Sequence, residues 1–435
     1  MAEESKQEYP FELALHKFLI EINGLADSLP IIMEALDEAR QKSHSKIEQF
    51  LEKNGQFIKK IETKEIKYIR QAEIYGISPR YAYDLKFLTR EGSNFNAAFS
   101  ITPKGFLVTI VSQFDAFMGR LIRAMYYAKP ELLNASEKQL TFANLVEFGT
   151  LEVAREYVLE KEIESVLRAS HSEHFEWLEK KLGISLRKDL SIWSDFIELT
   201  ERRNLFVHTD GEISSQYINV CRKHSVSLDE DCIVGKKLGV NNEYFQRSCE
   251  ILFELATKLT HVVWRKLTPS ELFIADKRLN NVCYDLLKEE KYDLAKRLLS
   301  FALCLPKHNS QQDKLIFTIN SAIAYKWGGD PKKAEEIILS TDWSSCNNSF
   351  KLTRAVLLDQ FDEATNIMRK IGAKGEVDKE HYKDWPVFKD FRQSPQFLEA
   401  YTEVFGEVLE PIEISEESDS NDQDEPNFFM ADSNN

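Results

Sequence analysis

Proline and glycine are scarce in this chain, 12 and 16 among 435 residues. Both interrupt helices, so their scarcity argues against a turn-rich architecture and leaves room for long helical stretches. Cysteine is equally thin: Cys221, Cys232, Cys249, Cys283, Cys304 and Cys346 lie far apart, with no Cys-x-x-Cys. That spacing excludes a disulfide framework and a thiolate zinc site and fits a reducing compartment. All six are expected to be small core hydrophobes. No run of 18 or more apolar residues occurs, so no membrane span is expected. The start, MAEESKQEYP, has neither the basic nor the apolar stretch of a secretory leader, and a cytoplasmic location is the expectation. A Gly-rich loop ending in Lys-Ser/Thr is missing, as is Gly-x-Ser-x-Gly, which argues against an intrinsic ATPase or GTPase and against a hydrolase nucleophile elbow. Positive charge is also short. The net charge of −15 disfavours a duplex-DNA binder. From Glu407 onward, however, the chain carries ten acidic residues and no Lys or Arg. The rest is only mildly acidic, and a local basic patch for RNA remains open.

What is present is amphipathic helix, and the fold class expected is all-α. Residues 1–103 read as an N-terminal helical hairpin, running from Phe11 to about Ile61 with Pro30 starting its second helix. A connecting segment follows, in which REGSNFNAAFSITPKG suggests a short strand hairpin or a loop. Residues 104–268 read as a helical bundle around GFLVTIVSQFDAFMGRLIRAMYYAKPELL, which is apolar nearly all round and so should be central. In residues 269–406 the strings YDLA, PKKA and FDEA each place an aromatic residue or proline three positions before Ala295, Ala334 and Ala364. Their intervals average close to the 34-residue tetratricopeptide period. A tetratricopeptide-like stack and an irregular set of helical hairpins fit this about equally. Residues 407–435 are acidic and poor in large apolar residues, and are expected to be a disordered tail in which Phe428-Phe429-Met430 is the one apolar cluster.

The stretch ERRNLFVHTDG, residues 201–211, departs from the pattern. At roughly 100° per residue, Leu190, Trp193 and Ile197 share one helix face, and the same face then carries Asn204 and His208. Buried polar groups need partners, at roughly 1–3 kcal/mol each if left unpaired. A core face turning polar therefore implies a satisfied cluster, a cleft or a subunit contact. His208 falls in the last helical turn, where the dipole favours an imidazolium, and an imidazole tunable near neutrality suits acid–base work. Arg203 lies on the flank with a planar fork matched to phosphate. Arg202, Arg222, Lys223, Lys236 and Lys237 are candidates for substrate phosphate contacts, each otherwise a solvated charge. His171-Ser-Glu-His174, lacking an evident third ligand, is expected at the surface, so no metal site is assigned. Asp115 and Glu198 are lesser candidates for a carboxylate near the helix end.

The string Arg203-Asn204-Leu205-Phe206-Val207-His208 resembles the signature of the HEPN superfamily, in which Arg is followed by a polar residue and, after four to six intervening positions (four here), by His. The surrounding segments resemble the helical modules of bacterial defence and toxin proteins, over about residues 104–268. The resemblance implies a metal-independent endoribonuclease without cofactor, composed as a homodimer with one composite cleft between two motif helices. His208 would then serve as general base or acid at the ribose 2′-OH, Arg203 would stabilise the scissile phosphate, and Asn204 would orient His208 or the RNA. The product would carry a cyclic phosphate. It further implies an antiphage or abortive-infection role, with a regulatory or antitoxin partner. The competing expectation is a non-catalytic scaffold that binds proteins through its tetratricopeptide-like helices.

Overall fold

The structure, a computed structural model, describes residues 9–65, 68–135 and 140–409. The acidic segment from 410 onward, with Phe428 and Phe429, lies outside the described residues. The described chain is all-α apart from one antiparallel strand pair. In order come α1 (Pro10–Asn54), β1 (Gly55–Glu65), β2 (Tyr68–Ile77), α2 (Ala82–Ala128), α3 (Phe142–Phe148), α4 (Leu151–Leu167), α5 (His171–Leu182), α6 (Trp193–Thr209), α7 (Ser215–Lys223) and α8 (Asn242–Leu267). There follow α9 (Leu272–Lys288), α10 (Tyr292–Cys304), α11 (Gln311–Trp327), α12 (Pro331–Leu339), α13 (Asn348–Leu357), α14 (Phe361–Ile371), α15 (Lys379–Asp384) and α16 (Pro395–Phe405).

Contacts divide the chain into two compact units, Met1–Ala324 and Tyr325–Asn435, so the division falls inside α11. The sequence places boundaries at 103/104 and 268/269 instead. The first lies within α2, and across the second α8 packs on both α9 and α10, so neither separates compact bodies.

In the first unit α2 is the axis, touching α1, α4, α6 and α8. Its second half buries Leu107, Ile110, Val111, Phe114, Phe117, Met118, Leu121 and Ile122, as its all-round apolar sequence requires. Each such side chain contributes roughly 1.5–3 kcal/mol of burial. Residues 79–128 are also long and apolar enough, by composition, to cross a membrane, and 44% of their most apolar window is buried.

Two sequence expectations change. The predicted break at Pro30 is absent, and α1 runs 45 residues straight through it. An interior proline costs about 3 kcal/mol, which burial of Ala26 and Leu29 beside it and packing of α1 on α2 and α8 offset. The N-terminal hairpin is therefore α1 with α2, joined by β1 and β2, rather than two halves of residues 11–61. Residues 90–105, read from their turn-forming composition as connection, belong to α2. Gly92 is there for closeness: a Cβ would sit 3.3 Å from Ile47 Cδ1 and 3.4 Å from Ser43 Oγ of α1.

On α8, His261 is fully buried, stacked on Trp264, with neither ring nitrogen hydrogen-bonded. Burial holds its imidazole down to about 3, aided by Arg265 and opposed by Asp276. The unfolded chain takes up this proton near pH 6.5, whereas the folded chain refuses it until about pH 3. Stability should thus be complete above pH 6.5 and decline as pH falls toward 3, at about 1.4 kcal/mol per pH unit. Urea midpoints measured across that range should show the decline, and His261→Phe should flatten it.

In the second unit α13 packs on α14, α12 on α13, and α14 on α16. Tyr382, Phe388, Phe391, Phe397 and Tyr401 form its aromatic core. Ala334 and Ala364 are buried three residues into α12 and α14, and Ala295 likewise in α10 of the first unit, in keeping with small residues at helix crossings. The segment 269–406 contributes helices to both units, because the division falls at Ala324 within it. Of the six cysteines, Cys221, Cys249 and Cys283 are core residues, Cys232 and Cys346 are half-buried, and Cys304 is exposed, contrary to the expectation for all six.

Candidate functional site at the end of α6

Helix α6 begins at Trp193, so Leu190 precedes it and does not share its face. The buried face is Phe196, Ile197, Leu199, Thr200 and Leu205. The helix closes on Asp210 in the left-handed region, followed by Gly211 at φ +85°. A Cβ on Gly211 would lie 2.8 Å from the Phe206 ring and 2.9 Å from the Leu238 carbonyl. Gly211→Ala should therefore destabilise the fold by roughly 1–3 kcal/mol, measurable as a lowered urea midpoint.

The segment after α6, loose by composition, is held firmly. Gly211 donates to Leu205, Leu238 to Gly211 and Ile213 to Lys236 through backbone N–H groups. Leu205, Ile213, Tyr217, Ile218 and Cys221 make a small core beneath the helix end. Asp210 binds Lys104 of α2 at 2.9 Å and Lys237 at 2.6 Å, and these two cations hold its carboxyl down to about 2.

The three expected catalytic residues occupy different settings. Arg203 is half-buried and turned onto α2, donating from Nη2 to Asp115 Oδ2 at 2.9 Å, while its buried Nε has no partner. Asn204 is half-buried and approaches the Glu201 carboxylate at 3.4 Å. Burial raises the Glu201 carboxyl, against the pull of His171, Asn204 and Arg203. His208 is exposed, and among the described residues no hydrogen bond or ion pair engages it. The polar face predicted from helical register is therefore partly right. Asn204 and Arg203 meet partners in the same chain, whereas His208 points to solvent rather than into the core.

Asp115 also accepts from, or shares a proton with, His171 Nε2 at 2.8 Å, so one carboxylate ties α2, α5 and α6 together. His171 and His174 are both buried, 8% and 1% exposed, which overturns their predicted surface placement. The cause is the Ser170–Glu173 capping box, which starts α5 at His171 and turns positions 171, 174, 175 and 178 inward. Sequence reasoning underrated Asp115, His171 and His174 and missed Glu201. One signal was legible: Asp115 is the lone carboxylate within an apolar helix stretch, and such a group needs a partner.

The phosphate-contact candidates divide. Arg202 faces inward, contrary to expectation: it donates to Glu198 at 2.7 Å and stacks 3.9 Å from the Tyr244 ring centroid. Tyr217 and Tyr244 donate to the same Glu198 at 2.7 and 2.6 Å, and burial, with the Glu198 charge, raises both phenols so that they stay neutral donors. Lys236 and Lys237 are exposed but paired, with Asp231 and Asp210. Arg222 and Lys223 are exposed at the end of α7. A cleft of about 590 Å³ runs along the Arg202 side of α6, with Lys236, Lys237 and Arg247 facing Asp195, Asp229 and Asp231, and it includes none of Arg203, Asn204 and His208. Its mixed charge gives it no preference for a polyanion.

Chemically, the helix end offers a half-buried guanidinium fixed by a carboxylate and, five residues further along the helix, an exposed and unengaged imidazole. No protein-family model matches the chain, and no curated protein and no solved structure matches it either.

Proposed function

We propose that this chain is a metal-independent endoribonuclease of the HEPN type, acting as a homodimer in which two α6 ends face one another across RNA. What carries the reading is the contrast at the end of α6: Arg203 is half-buried and anchored by Asp115, while His208 stands exposed at the surface. An exposed imidazole is available to a substrate, and a guanidinium already oriented by a carboxylate suits a phosphate that approaches its exposed edge. In the mechanism His208 takes the proton of the ribose 2′-OH, the 2′-oxygen attacks the adjacent phosphorus, and Arg203 neutralises charge on the non-bridging oxygens. The 5′-oxygen leaves and takes up a proton, and a 2′,3′-cyclic phosphate remains. Asn204 positions His208 or the RNA. A role as a growth-arresting effector in bacterial defence, located in the cytoplasm and restrained by a partner, belongs to the same proposal.

Growth and bulk RNA integrity should be compared for wild type, Arg203→Ala and His208→Ala, with chelator in the RNA assay and under activating conditions. Loss of toxicity and cleavage in both variants supports the reading, whereas three equally inert proteins would refute it. The dimer is checked separately with Val207→Cys, half exposed beside His208, in a Cys304→Ser background. Disulfide cross-linking between copies is expected, since it requires Cα atoms within about 7 Å.

A second reading has its own observation. The Arg203–Asp115–His171 chain bridges three helices and would serve equally as a brace in a non-catalytic scaffold. In that case His208→Ala would be silent in every assay.

A further inference from the structure

The Asp115 carboxylate that anchors Arg203 also gathers His171 and His174, two side chains for which the nuclease reading has no chemical use. The ligating atoms of Asp115, His171 and His174 lie within 4.8 Å of one another. Asp115 comes from the middle of α2, and His171 and His174 come from successive turns of one face of α5. His174 is 1% exposed, and neither of its ring nitrogens has a hydrogen-bond partner. Leaving such groups unmet costs roughly 1–3 kcal/mol each, and only the Ala169 and Leu167 backbone carbonyls, outside hydrogen-bond geometry, partly relieve it. Its ring lies 5.2 Å, centroid to centroid, from that of His171.

We propose that Asp115, His171 and His174 bind one divalent transition-metal ion of the zinc class, bracing α5 onto α2. Two imidazoles and one carboxylate are the donor set that borderline cations take, with a further position left for water. Binding replaces the proton between His171 and Asp115 Oδ1 with the metal, while Asp115 Oδ2 keeps Arg203. Such a site goes beyond the nuclease reading, since the metal takes no part in the cleavage chemistry proposed above.

The test is titration of untagged, chelator-stripped, full-length protein with Co²⁺, read by its visible d–d absorption, followed by displacement with Zn²⁺. One equivalent per chain is expected. Asp115→Asn and His174→Gln should weaken binding by more than the roughly 10–100-fold typical of losing an outer-shell partner, and Arg203→Ala, which removes only such a partner of Asp115, should cost no more than that. X-ray absorption on the wild-type zinc complex avoids any effect of the variants on folding, and a shell of nitrogen and oxygen with two imidazoles is expected. Failure of wild type to bind Co²⁺ or Zn²⁺, a sulfur ligand in the shell, or undiminished binding by both variants would overturn the proposal. The nuclease reading fails separately, by absence of cleavage in chelator-treated wild type.

Discussion

His208→Ala is expected to reduce RNA cleavage by roughly 10²–10⁴-fold, the usual contribution of a positioned acid–base group, while leaving the thermal midpoint essentially where it was. The second half follows from exposure. His208 has no hydrogen bond or ion pair among the described residues, and substitution at such a position normally changes stability by no more than about 0.5 kcal/mol. This separation makes His208 more informative than Arg203. Arg203→Ala removes a guanidinium tied to Asp115 at 2.9 Å and leaves that carboxylate with His171 alone, so it should lower both activity and stability. Arg203→Lys keeps the charge but loses the planar fork, and should recover stability more than activity. Steady-state cleavage of a single-stranded RNA, run beside circular dichroism melts of the same preparations, reads both effects.

Asp276→Ala should destabilise the first unit by about 3–5 kcal/mol, a large part of an ordinary domain's margin. Asp276 is 1% exposed and accepts from Arg265 Nη2 at 2.7 Å, His308 Nδ1 at 3.0 Å and the Asn309 backbone N–H at 2.7 Å. Burial alone would push its carboxyl up, yet the His308, Asn309 and Arg265 hydrogen bonds outweigh that and hold it below its ordinary value. Removing the carboxylate leaves the Arg265 guanidinium, on α8, buried without a counter-charge. Asp276→Asn should cost less, because the amide oxygen can still accept from the backbone N–H and one donor. Urea denaturation followed by helical circular dichroism measures the difference, and His208→Ala serves as the unaffected control.

How far the sequence could be read depended on whether neighbours along the chain or across it decide the outcome. The central helix was legible because Leu107 to Ile122 are apolar on every face, and no arrangement other than burial suits them. The start of α5 is set by the Ser170–Glu173 capping box, an interaction confined to four consecutive residues. Pro30 misled because its local penalty was outweighed by packing of α1 on helices far away in sequence, and Gly92 looked like a turn residue when its small size serves the α1–α2 crossing. At the site, helical periodicity placed Asn204 and His208 on one face, but α6 starts at Trp193 and ends at the surface, so the polar end of that face is only partly covered. Asp115 and the His171–His174 pair lie 56 and 59 positions apart in the chain, and only the docking of α5 onto α2 brings them together. Arg202 shows the converse: a residue flanking the motif reads as a phosphate contact until Glu198, Tyr217 and Tyr244 are seen to enclose it.

The chemistry proposed for the end of α6 is tested most directly by the ends of the cut RNA. A defined single-stranded RNA is incubated with chelator-treated wild-type protein, beside the same RNA carrying a 2′-deoxy nucleotide at the cut position. Fragments ending in 2′,3′-cyclic phosphate, with no cutting at the deoxy position, are the expected result. Cleavage that persists at the 2′-deoxy nucleotide, or that leaves a 5′-phosphate and a free 3′-hydroxyl, would contradict attack by the ribose 2′-OH and with it the role given to His208.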